Sequence, residues 1–219
     1  MSAAPSPPGT TQQHALEWLR HAIVAGALRP GQRVAQEDVA ERIGVSVAPV
    51  REALRVLEQE GQVTYRPRRG YFVTELRFAD LHEIYALRRV LEERAARHAL
   101  PALAEDDVER LLLAARECAD AAVADDVAAE LHANRRFHFA ILDAPGQPHT
   151  LRLIRLLWDS TEAYRALYYN SREERAAAID AHDRIIEAVR ARDADRLVAE
   201  LDAHRERALA VLQGVLGGD

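Results

Sequence analysis

The chain has 219 residues, 48% hydrophobic and 29% charged, with a formal net charge of −6 and one cysteine, Cys118. That size suits one large or two modest water-soluble domains, and a single cysteine excludes an intrachain disulfide and any cysteine-built zinc cage. The acidic balance excludes a general nucleic-acid coat, and the lack of a long apolar run or a signal-type start predicts a cytoplasmic protein with no membrane partner.

Charge is unevenly distributed. Residues 1–75 carry nine Arg against eight Asp and Glu, and residues 76–219 carry twenty Arg against twenty-seven acids, so any contact with nucleic acid belongs to the first part. Residues 1–10, rich in Pro and Ser, predict a disordered tail. Leu16, Leu19 and Ile23 recur at helical spacing before Gly26 and the RPG turn at 29–31. A short helix is predicted over 36–43, closed by Gly44, and an amphipathic helix over 47–60, closed by Gly61. VTY, RPRRG and YFV then read as strand, turn and strand, with Arg68 and Arg69 near the tip. Beyond Thr74, Ala, Leu, Glu and Arg dominate, and six helices are predicted at 78–100, 105–121, 124–143, 149–170, 172–191 and 194–213. Ile84, Leu87, Leu91 and Ala95 mark the expected core stripe of the first, and Asp193 the cap of the last. The fold class is mostly α: a winged helix-turn-helix domain over 11–75 and an all-α six-helix bundle over 76–215, of a kind that suits a ligand site between helices.

At 100° per residue, the helix from residue 47 turns Val50, Ala53, Leu54 and Leu57 inward and leaves Val47, Ala48, Arg51, Glu52 and Arg55 outward. Ser46 stands at its N-cap and Pro49 in its first turn, where the missing N–H has no helical partner. Arg51 and Arg55 are either solvated charges or DNA contacts. Residues 28–74 resemble the DNA-binding domain of GntR-type transcription regulators, in LRPG, ERIGVS, PVREALRVLEQEG and RRGYFV, in that order and spacing. The resemblance implies a homodimer on a palindromic double-stranded operator, with a recognition helix in the major groove. Arg51 matches a DNA-contacting arginine, Ser46 and Pro49 the helix start, and Arg68, Arg69 and Gly70 the wing. Val47 and Ala48 stand where the family usually has Arg and Thr, so readout leans on Arg51, the wing and apolar contact with thymine methyls.

In the second domain Asn134 and His138 lie four apart on one helix face. His182 and His204 are equidistant from the turn at Asp193, so an antiparallel helix pair brings them level. Three imidazoles and an amide oxygen make a divalent metal site with open positions, or a group of ordinary helical histidines. The phrases LHEIYALRRVLEERAARHAL, NRRFHFAILDAPGQPHTLRLI and AHDRIIEAVRARDADRLVAELDAHRERAL are similar to the effector domain of the FadR-like subfamily, the FCD type. This implies a metal, zinc or nickel, held by an acidic residue and three histidines, with a small organic acid effector bound against it. His138, His182 and His204 match those histidines; Asn134 replaces the usual Asp, which removes one negative charge from the site. Arg88 matches an effector-facing arginine, although a salt bridge to Glu92 four residues on is the competing reading. The alternative function is a helical metalloenzyme acting on a small acid; no carboxylate sits at HExxH spacing from these histidines, and no nucleophile motif is present.

Overall fold

The computed structural model describes residues 10–75, 77–143, 146–162, 164, 165, 169 and 171–216. The chain divides into two compact units, residues 1–75 and 76–219. Apart from Thr10, the predicted tail lies outside the described residues.

In the first unit α1 (Thr11–Val24) starts where Thr10 Oγ1 accepts from the Gln13 N–H at 3.2 Å. Helix α2 (Gln36–Ile43) ends at Gly44, whose φ of +70° is the left-handed conformation that glycine tolerates without strain. Helix α3 (Val47–Gln59) buries Val50, Ala53, Leu54 and Leu57, the face predicted from the sequence, and packs on α1 through Leu16, Leu19 and Ile23. Ser46 occupies its N-cap position but makes no side-chain cap hydrogen bond. Strands β2 (Val63–Arg66) and β3 (Gly70–Val73) form the expected hairpin. A third strand, β1 (Arg33–Val34), was not predicted, because two residues are too few to show alternation; it pairs antiparallel with β3, giving the order β1-β3-β2.

The second unit is built from α4 (Phe78–Ala99), a 3-10 turn at Leu100–Ala102, α5 (Glu105–Val123), α6 (Val127–Leu142), α7 (Pro148–Ser160), α8 (Arg172–Arg190) and α9 (Ala194–Leu216). Phe137, Ile141, Ile154, Trp158, Ile185 and Leu201 make its core. Asp193 Oδ1 accepts from the Arg196 N–H at 2.9 Å, capping α9 as expected. Among the described residues no helix is long and apolar enough to cross a membrane.

Two expectations are corrected. The predicted helix 149–170 is interrupted at Thr161: α7 ends at Ser160, where the hydroxyls of Ser160 and Thr161 donate to the carbonyls of Leu157 and Trp158 and compete with the helical ladder, and Glu162, Tyr164 and Arg165 are helical again, with the Arg165 N–H on the Thr161 carbonyl at 3.1 Å. Residues 163, 166–168 and 170 of that stretch lie outside the described residues. On α4 the buried residues are Leu81, Tyr85, Arg88, Glu92, Ala95, Ala96 and Ala99; of the predicted stripe Ala95 is buried, Ile84 and Leu91 are half-buried and Leu87 is exposed. The inward face of α4 is polar at its centre, so apolar periodicity pointed to a neighbouring face.

One buried carboxyl lies outside this polar centre. Glu130 on α6 is buried, its Oε2 makes no hydrogen bond, and Arg175 Nε stands 3.9 Å away, too far to donate. Burial pushes its carboxyl up from 4.5 to about 7, against the pull of Arg175. A carboxyl raised in the native state stabilises the fold fully below its unfolded value, and that contribution is lost as pH rises through the native value. Glu130→Gln, which keeps the neutral form, is therefore expected to remove about 2 kcal/mol of the stability lost between about pH 5 and about pH 8.5. Urea midpoints of both proteins across that range check it; parallel curves would refute it.

Candidate metal centre and nucleic-acid interface

The three histidines converge from three helices. His138 comes from α6, His182 from α8 and His204 from α9, and their imidazole ligand atoms all lie within 4.8 Å of one another. The ring centroids form a nearly equilateral triangle, 5.3 Å for His138–His204 and His182–His204 and 5.7 Å for His138–His182. His138 and His182 are buried; His204 is less covered as a residue, but its Nδ1 is enclosed. Burial, reinforced by their neighbours, pushes all three imidazoles down, His204 to about 4, so all are neutral at pH 7. The Nδ1 atom of each has no hydrogen-bond partner among the described residues. Neutral imidazoles with buried, unsatisfied nitrogens are the donor set a first-row divalent metal takes, so the residues present fit one.

Asn134 joins the group: its Oδ1 lies 3.2 Å from His182 Nε2. An amide oxygen only accepts, so this contact places the His182 hydrogen on Nε2 and leaves Nδ1 as a lone pair. Phe137 stacks on the His182 ring at 3.9 Å and fixes its plane.

Beside the cluster is a cavity of about 30 Å³, room for one or two water-sized groups. One wall is an ionic network. Glu92 Oε1 accepts from Arg88 Nε at 2.8 Å and Trp158 Nε1 at 2.7 Å, and Oε2 from Arg205 Nη2 at 2.9 Å. Burial acts to raise the Glu92 carboxyl, yet Arg88 and Arg205 together hold it down at about 2. Arg205 also donates to Asp202, and Arg88 and Arg165 lie 4.3 and 4.1 Å from the Trp158 ring centroid. Arg88, the residue predicted to face an effector, thus lines the cavity while bound to Glu92, so both sequence readings describe it. Sequence reasoning missed Trp158, Arg165 and Arg205; of these only Arg205, adjacent to His204, carried a signal. Cys118 is buried and its thiol is pushed up to about 12 by burial, which makes it inert.

In the first unit Ser46, Ala48 and Arg51 are exposed and Val47 and Pro49 partly so. Arg51 Nε reaches Gln36 Oε1 at 3.4 Å, and Arg55 pairs with Glu52 at 2.9 Å. In the wing, Arg68 adopts φ +63° and Gly70 φ +89°, closing the turn with Arg69 N–H on the Arg66 carbonyl at 2.9 Å. Alternation sends Val34, Val63, Tyr71 and Val73 to the core. On the other face Arg66 and Arg69 lie over the Phe72 ring at 4.3 and 5.6 Å, and Arg33 pairs in register with Phe72. Arg33 was not singled out from the sequence, because only the sheet register brings it beside the wing; Arg66 opens the RPRRG turn and was not singled out from it.

The FCD domain family matches residues 83–207, more than half of the chain, and the gntR family of bacterial regulatory proteins matches residues 11–73. The chain belongs to the GntR family, with an FCD domain. It is 31% identical over 203 residues to the HTH-type transcriptional regulator BphR of Paraburkholderia xenovorans, covering 89% of this chain and 82% of that one. The regulator YdhC of Bacillus subtilis is 28% identical over 85% of this chain and 84% of its own. Among solved structures, Escherichia coli McbR/YncC superposes with a TM-score of 0.83 at 25% identity, covering 94% of this chain and 99% of that one. The protein is a DNA-binding transcription regulator of the GntR/FCD type, and its relatives are named as regulators, not enzymes.

The Glu92 network generates a direct test. Removing the carboxylate leaves two buried guanidiniums facing each other, so Glu92→Gln is expected to cost about 3–5 kcal/mol, measured by urea denaturation at pH 7. A cost below 1 kcal/mol, about the worth of an exposed pair, would show that the network is not a structural constraint.

Proposed function

We propose that this regulator binds a palindromic operator as a homodimer and is modulated by a small carboxylate effector bound near a divalent metal, zinc or nickel, in the helical domain. The observation that carries the reading is the convergence of three neutral, unsatisfied imidazoles next to an arginine-walled cavity. His138, His182 and His204 hold the metal and Asn134 supplies a neutral oxygen beside them. The His182 contact favours a second task for Asn134, fixing that imidazole's tautomer. The metal, when bound, supplies a positive charge that attracts the acid's oxygen. Arg88 turns one guanidinium edge to the effector while Glu92 holds its Nε.

In the winged domain, over 11–75, Ser46, Val47, Ala48, Pro49 and Arg51 meet the major groove, Arg55 stands one turn further along, and Arg68, Arg69 and Gly70 follow the backbone as a wing. Homodimerisation falls to the helical domain, over 76–215. Leu87 and Val90 on α4 and Leu153 and Leu156 on α7 leave apolar side chains exposed on two helices that pack together, as a buried interface in the dimer explains. Two recognition helices about 34 Å apart then read the half-sites, and effector binding favours one dimer arrangement over another.

Operator sequences selected from a random duplex pool by the full-length protein are expected to be palindromic. Arg51→Ala should weaken binding to the best of them by roughly 5- to 150-fold, without changing thermal stability. Unchanged affinity would remove Arg51 from the interface, and non-palindromic sites would overturn the dimeric reading. At the metal, Asn134→Asp restores a negative charge and should tighten zinc binding about tenfold or more, measured by competition with a chromophoric chelator. Equal affinity would place residue 134 outside the metal's reach.

A further inference from the structure

We propose that Arg165 is the anion anchor of the cavity, taking the carboxylate of a short bifunctional acid whose second oxygen donor reaches the histidine cluster. This rests on the reading of the cavity as the effector site.

Three arginines border the cavity, and two of them are answered from within the protein. Arg88 and Arg205 both donate to Glu92, at 2.8 and 2.9 Å, and Arg205 also to Asp202. Arg165 is different. It is 6% exposed, yet its Nε and Nη1 have no hydrogen-bond partner among the described residues. Its Nη2 meets only the Trp158 carbonyl, at 3.4 Å. Burial pulls its pKa below the ordinary arginine range, and Glu162 opposes that pull without coming within ion-pair distance. A buried cation with unfilled donors is costly unless an anion completes it. The other groups at the cavity do not: Glu92 is consumed by its own network, and the histidines and Asn134 are neutral.

The same geometry limits the ligand's length. Arg165 and His138 flank one indole, with Arg165 4.1 Å and the His138 ring 5.1 Å from the Trp158 ring centroid. A ligand that joins them has a short carbon chain, and the space of about 30 Å³ favours a small one. The class is a hydroxy acid, a keto acid or a short dicarboxylate. A guanidinium clamped against an aromatic ring is well suited to hold such a carboxylate, because little side-chain freedom is lost on binding.

Calorimetry on the zinc-loaded full chain tests this, with malonate, malate and succinate as probes and malonamide as the uncharged control. The wild type is expected to bind at least one of the three acids and not malonamide. Arg165→Gln should bind that acid about tenfold or more weakly while keeping its zinc. Its melting temperature should hold or rise, because the substitution removes an unpaired buried charge. Should that variant not fold, Arg165→Met, which fills similar space without charge, carries the same comparison. Equal affinity in the variant and the wild type overturns the role of Arg165 and leaves the effector reading standing. A folded variant that melts lower and also loses zinc overturns it in favour of a structural role. Binding of malonamide as tightly as malonate overturns the anion anchor alone. A wild type that binds none of the acids overturns the carboxylate-effector reading and this proposal together.

Discussion

The helical unit depends on one buried carboxylate. Glu92 accepts from Arg88 on its own helix, from the indole of Trp158 on α7 and from Arg205 on α9. A lone ionised carboxylate is strongly disfavoured in a protein interior, and two guanidiniums with good hydrogen-bond geometry offset that cost. The arrangement also fixes position. Because Glu92 has to face α7 and α9 at once, the rotation of α4 about its axis is set, and Trp158 is held as the wall between Arg88 and Arg165. Arg205 follows His204 in the chain, so the network that locks Arg205 also sets where that imidazole lies. The ionic network and the histidine cluster are therefore one construction, built on shared helices.

This explains where the sequence was readable. Helix α2 ran from 36 to 43 as expected, because an apolar repeat and a glycine stop agreed, and α3 buried the four residues that its 100° periodicity chose. The histidines were legible because two of them are symmetric about the turn at Asp193 and the third shares a face with Asn134. Periodicity failed on α4, where the inward face carries an arginine and a glutamate and the exposed face carries Leu87 and Val90. A pattern rule that equates apolar with inward misplaces a helix whose buried side faces a polar site and whose exposed side keeps apolar residues. Trp158 and Arg165 were invisible for another reason. Tryptophan in an apolar helix reads as core, and one arginine among many in a predicted helix reads as solvated; only the fold shows that the two touch.

The DNA-facing unit shows the complementary case. Its helices form from strong local signals, but its charge distribution depends on sheet pairing. Arg33 lies about forty residues before Phe72 in sequence and opposite it in the sheet. Arg66 and Arg69 cover the same ring from the turn. Guanidiniums stacked on an aromatic face keep their hydrogen-bond edges free for phosphate, so the wing gathers positive charge that the nearly neutral total of residues 1–75 conceals. With Val47 and Ala48 unable to donate hydrogen bonds from their side chains, more of the binding energy moves to this wing. On the proposed reading, phosphate contacts from the wing would position the protein and leave Arg51 as the principal reader of base edges on α3.

Charge accounting links the metal centre to its ligand. In a site with an acidic metal ligand, the protein itself neutralises part of the ion's charge. Here the histidines are neutral, Asn134 is neutral, and the acid lining the cavity, Glu92, is committed to Arg88 and Arg205. A divalent ion in this cluster keeps its full charge, and Arg165 adds another cation within reach of the same indole. In a low-dielectric interior such an excess is tolerated only when a counter-charge arrives, so ion and acid are expected to bind cooperatively, each lowering the cost of the other. On the proposed reading, an Asn at position 134 would shift part of the neutralising task from the protein to its ligand, and occupancy of the metal would then depend on the acid.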